Sequence, residues 1–255
     1  MTPVRTERAG GLAILTLDSP PLNLFDEALI EGLEAGVREL DGARALLIRA
    51  EGRAVSAGVD VHLFDGLSEH AAAALFHRLL ELTRRVESLP FPVVFAAHGL
   101  CLTAAFEVAL ASDLILAAES ARFGLVESVI AITPAMGGTQ RLAERAGTGR
   151  ARELVMTGDL YGAAELERWN VVNRVLPDEG FGAAALAFAT RLADGPTRAH
   201  AVTKQIVRAF VASGVKGADS ITAEAVGDLW GTQDTRGAIR SFLENGPGKA
   251  SFSGR

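Results

Sequence analysis

The chain is predicted to fold as an α/β protein whose mixed body is followed by an all-helical C-terminal region. Short apolar runs typical of buried strands alternate with longer segments of helical apolar spacing up to residue 176, which favours an α/β architecture. From residue 181 onward the spacing is mainly helical, and the change falls near Asp194-Gly195-Pro196. With 255 residues the chain is long enough to bury a full core. We therefore predict a core over 1–195 and a helical region over 196–255.

The predicted strands are short apolar runs that turn residues interrupt. Gly52, Gly99 and Pro177 close three of these runs, and such residues rarely continue a strand. The predicted strands are 12–17, 45–49, 93–97, 114–117 and 171–176.

The predicted helices carry apolar residues at intervals of three and four. Leu29, Leu33 and Val37 show this spacing in the first helix, and Pro90 bounds the second. The predicted helices are 26–40, 71–86, 181–192, 197–211, 221–229 and 235–243. The tail 246–255 is rich in Gly, Ser and Lys, and we expect it to be loosely ordered.

Composition narrows the class of protein. A hydrophobic fraction of 49% and a charged fraction of 22% are ordinary for a globular protein, and the net charge of −6 argues against nucleic acid or an anionic membrane as a partner. Cys101 is the only cysteine, so no intrachain disulfide can form. No apolar run reaches the ~20 residues of a membrane span, and the N-terminus lacks an apolar signal core. We predict a cytoplasmic protein without a metal site, since its five histidines form no ligand cluster.

Two glutamates are the candidate catalytic residues. Glu107 lies in 98–113, His-Gly-Leu-Cys-Leu-Thr-Ala-Ala-Phe-Glu-Val-Ala-Leu-Ala-Ser-Asp, and Glu127 follows Ala-Arg-Phe-Gly-Leu-Val at 121–126. Either residue alone could be a helix-dipole partner, half of an ion pair or an exposed residue. Two carboxyl groups that face one substrate can instead act as proton donor and proton acceptor.

Three segments closely resemble the crotonase (enoyl-CoA hydratase/isomerase) superfamily: 51–60, 98–113 and 121–142. The resemblance implies a spiral of repeated ββα units with a helical C-terminal region that covers the active site and forms oligomers. It also implies that Glu107 holds and deprotonates the attacking water, and that Glu127 transfers the proton at the α-carbon.

The resemblance further implies an oxyanion hole formed by the backbone N–H groups of Val59 and Ala104. A helix N-terminus suits a developing oxyanion, because its N–H groups are free. Five residues of the first segment would line the path of the coenzyme A: Ala57, Gly58, Asp60, Val61 and His62. The family commonly has three glycines where this chain has Thr103-Ala104-Ala105. We expect the alanines to occupy the first helical turn, which they fit without strain.

The predicted function is reversible syn hydration of a trans-2-enoyl-CoA to the 3-hydroxyacyl-CoA. No cofactor is implied, because coenzyme A is part of the substrate, and the resemblance implies a homotrimer or homohexamer. The alternatives are an enoyl-CoA isomerase, another crotonase-type lyase or hydrolase, and a catalytically silent coenzyme A- or RNA-binding member. Helix 197–211 has only three basic residues, which argues against RNA binding.

Overall fold

The fold consists of two sheets and a set of surrounding helices. The computed structural model describes residues 2–255. The strands are β1 (Val4–Ala9), β2 (Leu12–Leu17), β3 (Ala45–Ala50), β4 (Val93–Ala97), β5 (Leu100–Leu102), β6 (Leu114–Ala118), β7 (Arg122–Gly124), β8 (Tyr161–Gly162) and β9 (Arg174–Leu176). The helices are α1 (Glu27–Arg38), α2 (Glu69–Ser88), α3 (Ala104–Ala111), α4 (Gly138–Ala146), α5 (Thr148–Thr157), α6 (Ala163–Arg168), α7 (Phe181–Ala193), α8 (Thr197–Gly227) and α9 (Gln233–Asn245).

The larger sheet has six strands in the order β1-β2-β3-β4-β6-β9. Among the described strands of this sheet only the β1–β2 pair is antiparallel, and the remaining pairs are parallel. Side chains on its strands alternate between two apolar cores, as the period of a strand requires. Leu12 and Leu47 face the core beneath α7, whereas Leu15 and Ile48 face the larger core that includes residues of α1 and α2.

The smaller sheet has the order β5-β7-β8. Strands β5 and β7 are parallel, and Ser56 adds a parallel bridge to Cys101 of β5. The chain thus repeats a unit of one strand in the large sheet, one in the small sheet and a helix, seen in β4-β5-α3 and β6-β7-α4. This is the predicted spiral of ββα units, and the α/β fold class is confirmed.

The C-terminal region is helical, as predicted. Helix α8 covers all of the predicted helix 197–211 and most of the predicted helix 221–229. Its backbone breaks at Gly214 (φ 67°, ψ −169°), and a 3₁₀ turn follows it at Asp228–Gly231. Lys204 of α8 joins this region to the body, because its ammonium group donates to Asp113 at 2.7 Å and to the Phe91 carbonyl at 3.0 Å. No helix among residues 2–255 has the length and apolarity needed to cross a membrane.

Several elements differ from the prediction. The strand predicted over 171–176 begins only at Arg174, because Val171 and Val172 are buried ahead of it without pairing in the sheet. Strand β1 was missed because its sequence is mostly polar, as suits an edge strand. Strands β5, β7 and β8 have two or three residues each, too few to show a periodic pattern.

The prediction of a loosely ordered tail is wrong for its last residues. The carboxylate of Asp234 in α9 accepts hydrogen bonds from the backbone N–H groups of Ser253 and Gly254, both at 2.7 Å. Arg44, just before β3, donates to the Phe252 carbonyl at 2.9 Å. The end of the tail is therefore fixed by charged side chains from two distant parts of the chain.

We predict that Asp234→Ala releases the tail. Hydrogen bonds to a charged group contribute about 1.5–3 kcal/mol each. Because the released N–H groups of the tail can bond to water instead, the free energy of unfolding should fall by only about 2 kcal/mol. Urea denaturation measures this change, and hydrogen exchange should show faster exchange at Ser253 and Gly254. Asp219→Ala, at an exposed position of α8, is the matched control. Unchanged exchange at the tail in Asp234→Ala would contradict this account.

Candidate active site

The candidate site lies where three short parallel segments end. Ser56, β5 and β7 run side by side, so the residues that follow them emerge at one edge, where parallel sheets commonly bind ligands. Val59 follows the first segment, Thr103 follows the second and Glu127 follows the third. The pairing of the smaller sheet therefore brings together residues that are far apart in sequence.

An apolar cavity of about 230 Å³ opens at this edge. Its polar side chains include Thr103, Glu107 and Glu127, and aromatic rings of Phe64 and Phe76 contribute to its wall. The rest of the lining is largely aliphatic: Val61, Leu79, Val126, Val129, Ile130, Ile132, Ala135 and Met136. Few polar groups on an apolar wall are typical of a small-molecule site.

Glu107 is held rigidly at the cavity. It lies in the first turn of α3 and is 2% exposed, and its Oε1 accepts hydrogen bonds from the N–H groups of Met136 at 2.9 Å and Gly138 at 2.8 Å. A Cβ atom on Gly138 would lie 2.7 Å from Glu107 Cγ, so the glycine permits this approach. Oε2 of Glu107 has no hydrogen bond to any described residue, which leaves it available to water or substrate.

Glu127 begins a 3₁₀ turn, Glu127–Ile130, directly after the smaller sheet. It is 9% exposed, and no donor in the described part of the chain reaches its buried Oε2 atom. Buried polar atoms are normally hydrogen-bonded, so an unpartnered carboxylate oxygen beside a cavity is suited to a ligand.

The environment raises the pKa values of both carboxyl groups. Burial, followed by the charge of Glu127, raises the pKa of Glu107 to about 8. Burial raises the pKa of Glu127 to about 7. Because the two groups interact, they titrate as a pair, and near neutral pH the pair retains a proton. One proton donor and one proton acceptor are then present at the same cavity.

The predicted oxyanion donors have different surroundings. Ala104 and Ala105 lie in the first turn of α3, as expected, and no described residue accepts a hydrogen bond from Ala104 N–H. The N–H of Val59 donates to Thr103 Oγ1 at 3.1 Å. In this structure one donor is therefore free and the other is bound by a threonine side chain.

Thr103, which directly precedes α3, has an unusual backbone conformation. Its φ of 44° lies in the region that favours glycine, and for a β-branched residue such a conformation costs about 1–3 kcal/mol. Its N–H donates to the Gly124 carbonyl at 2.9 Å, and its carbonyl accepts from Glu107 N–H at 2.9 Å. These bonds hold the conformation despite its cost.

Three of the five residues predicted to line the path of coenzyme A lie at the cavity, and two do not. Ala57, Gly58 and Val61 line the cavity together with Val59. Asp60 does not line it, because its carboxylate caps the 3₁₀ turn Val61–Phe64 by accepting from His62 N–H at 3.0 Å. The ring of His62 also contacts Asp60, at 2.6 Å, and its side chain is 89% exposed outside the cavity.

Sequence reasoning missed the parts of the site that depend on distant contacts. That Thr103 contributes to the cavity could have been suspected, because it directly precedes Ala104 and Ala105. Its hydrogen bond with Val59 could not, because the two residues are 44 positions apart in the sequence. The two N–H groups that fix Glu107 come from a turn about 30 residues downstream. Phe76 carried no signal beyond its helical spacing in α2.

The fold and the cavity define a protein in which two buried carboxyl groups lie at an apolar ligand site. The family model described as enoyl-CoA hydratase/isomerase matches residues 7–254. The chain therefore belongs to the enoyl-CoA hydratase/isomerase family, that is, the crotonase superfamily, as its motifs predicted.

Individual relatives agree with this membership. The chain is 32% identical to a "probable enoyl-CoA hydratase" of Rhodobacter capsulatus, over 99% of this chain and 98% of the relative. It is 30% identical to the crotonyl-CoA hydratase of Syntrophomonas wolfei, over 96% of each chain. The crystal structure of an enoyl-CoA hydratase from Bacillus anthracis superposes with a TM-score of 0.91 at 27% identity, covering 99% of this chain and 100% of the other.

We predict that the buried carboxyl groups make stability fall as pH rises. A carboxyl whose pKa is raised on folding binds more protons in the native state than in the unfolded chain, so its ionisation opposes folding. For Glu107 the effect should develop between its ordinary value of 4.5 and about 8. Thermal unfolding of wild type and Glu107→Gln at pH 5 and pH 8 tests this, since glutamine still accepts from Met136 and Gly138.

The glutamine variant should lose less stability than wild type between the two pH values. The matched control is Glu119→Gln, at an exposed position, which should follow wild type. Equal pH dependence of stability in wild type and Glu107→Gln would contradict the raised pKa of Glu107.

Proposed function

We propose that the protein is an enoyl-CoA hydratase that adds water reversibly to a trans-2-enoyl-CoA and yields the 3-hydroxyacyl-CoA. The observation that carries this proposal is the pair of buried carboxyl groups, with raised pKa values, on one apolar cavity. Two such groups can remove a proton from water and supply one to carbon in the same reaction. The names of relatives, including a crotonyl-CoA hydratase at 30% identity, support the same chemistry.

The proposed roles are those that the family resemblance implies. Glu107 binds the water and takes its proton as the oxygen bonds to the β-carbon. Glu127 gives a proton to the α-carbon, so that the C=C π electrons end in the new C–H bond. The negative charge that develops on the thioester oxygen is stabilised by hydrogen-bond donors where the Val59 loop meets the start of α3, and one such donor contributes about 3–4 kcal/mol in comparable sites.

The proposal requires neither a metal nor a redox cofactor. Hydration changes no oxidation state overall, and carboxyl groups with pKa values near neutrality can carry both protons. Coenzyme A enters as part of the substrate. Ala57, Gly58 and Val61 lie at the cavity wall, which supports their assignment to substrate binding.

A homo-oligomer is proposed as the working form. Apolar side chains are exposed along α8 and α9, including Val207, Phe210, Val215, Phe242 and Leu243. Exposed apolar residues grouped on two helices favour burial against further copies of the chain. A trimer or pair of trimers stays a prediction from the family resemblance, and a cytoplasmic location stays a prediction from the sequence.

We predict that Glu127→Gln and Glu107→Gln each reduce hydration of 2-enoyl-CoA esters by about 10²- to 10⁴-fold, because each removes one acid–base group. Loss of the conjugated absorbance measures turnover, and mass analysis identifies the added water. Glu127→Gln should also stop deuterium exchange at the α-carbon. The exposed control Glu119→Gln should match wild type.

Full activity in Glu127→Gln would overturn the proposed role of this residue. A product of unchanged mass with a shifted double bond would identify an isomerase. Binding of coenzyme A esters without any reaction in wild type would instead identify a catalytically silent member of the family.

We predict that Phe76→Ala extends the acceptable acyl chain. Phe76 contributes to the cavity wall beside Phe64, with ring centroids 5.8 Å apart, so its removal enlarges a space of about 230 Å³. The ratio of kcat/KM for a ten-carbon over a four-carbon enoyl-CoA should rise by about tenfold or more. His77→Ala is the control, because His77 is exposed on the same helix. An unchanged ratio would place the acyl chain elsewhere.

A further inference from the structure

The Thr103 hydroxyl has one hydrogen-bonding role filled and another open. Its oxygen accepts from Val59 N–H at 3.1 Å. A hydroxyl group can also donate one hydrogen bond, and no described residue accepts the proton of this one. The residue is 7% exposed and lines the cavity, so the open donor is available to a ligand there.

The Thr103 hydroxyl lies directly against the loop that carries Val59. A Cβ on Gly58 would lie 2.8 Å from Thr103 Oγ1, so the loop and the hydroxyl are in close contact. The loop is fixed in turn, because Phe25 N–H donates to the Gly58 carbonyl at 2.9 Å and Asp60 N–H donates to the Phe25 carbonyl at 3.1 Å. The Val59 N–H thus meets the threonine oxygen before it can meet a ligand.

We propose that the Thr103 hydroxyl donates to the thioester oxygen of the substrate and so replaces the Val59 N–H as one donor of the oxyanion hole. The Val59 N–H then acts indirectly, since a hydroxyl that accepts a hydrogen bond becomes a better donor. Ala104 N–H, which has no acceptor among the described residues, supplies the second donor. No proton leaves Thr103 in this step, because it only stabilises charge on the thioester oxygen.

This arrangement explains why a β-branched residue is found at a φ of 44°, where glycine would be unstrained. A glycine there would relieve the backbone, but it would provide no hydroxyl. On this interpretation the strained backbone is the cost of placing a side-chain donor at the cavity.

The test must separate this proposal, which rests on the proposed function, from the function itself. Butanoyl-CoA labelled with ¹³C at the thioester carbonyl is suitable, because a saturated ester cannot be hydrated. Its carbonyl stretching frequency, measured by infrared difference spectroscopy, falls when donors polarise the bond. The measurement therefore reports the hydrogen bond whichever reaction the protein catalyses.

The variants are Thr103→Val and Thr103→Ser. Valine has the shape of threonine and the same β-branching, so the backbone cost is matched while the hydroxyl is lost. The carbonyl shift should be largely lost in Thr103→Val and kept in Thr103→Ser. In parallel, kcat for hydration should fall about 100-fold or more in Thr103→Val, with a smaller change in KM, and should stay within about tenfold of wild type in Thr103→Ser.

Thr103→Gly distinguishes a donor from an obstruction. The glycine variant should be at least as stable as wild type, because it removes the strained side chain, yet it should turn over more slowly. A turnover above that of wild type would overturn the proposal, since it would mean that Thr103 blocks the Val59 N–H. An unchanged carbonyl shift in a folded Thr103→Val would also overturn it. Thr203→Val, exposed on α8, is the control for threonine substitution.

The two hypotheses can fail separately. A carbonyl shift that depends on Thr103, in a protein that hydrates no enoyl-CoA, would support the hydroxyl donor and contradict the proposed reaction. Hydration that depends on both glutamates but not on Thr103 would support the reaction and contradict the hydroxyl donor. Near-ultraviolet circular dichroism of each variant establishes that the fold is retained.

Discussion

The parallel alignment of three short segments is the constraint on which the site depends. Ser56 N–H donates to the Leu100 carbonyl at 3.0 Å, Leu102 N–H donates to the Ser56 carbonyl at 3.2 Å, and Thr103 N–H donates to the Gly124 carbonyl at 2.9 Å. Because these bonds fix where each segment ends, they also fix where Val59, Thr103 and Glu127 lie at the cavity. The larger sheet and its helices supply the buried area that keeps so small a sheet in place.

Burial of the two carboxyl groups links stability to chemistry. A desolvated carboxyl is less stable when ionised, and the fold offsets part of this for Glu107 with two backbone donors. The same donors come from a turn whose Gly137 has a φ of 92° and whose carbonyl accepts from Arg141 at 3.2 Å. The guanidinium of Arg141 is held by Glu87 at 2.6 Å. The position of Glu107 is therefore supported by a chain of contacts that extends from α4 to α2.

The spacing of apolar residues predicted the long helices, because that spacing reflects burial of one helix face. In α1, for example, Leu29 and Leu33 are buried. It could not predict β5 or β7, since three residues carry no period and are held by tertiary pairing. The catalytic candidates Glu107 and Glu127 were found through motif resemblance, and their burial is a structural finding. The bond from Val59 to Thr103 could not be predicted, because it depends on a side chain from another ββα unit.

Cys101, the single cysteine of the chain, lies fully buried in β5. Burial raises the pKa of its thiol, and a thiol that is both inaccessible and protonated reacts slowly with alkylating dyes. The native chain should therefore take up very little of a thiol-reactive label. A cysteine introduced at an exposed position such as Val129, on the cavity rim, would take up a fluorophore alone. Movements of that rim during ligand entry could then be followed in the otherwise unmodified protein.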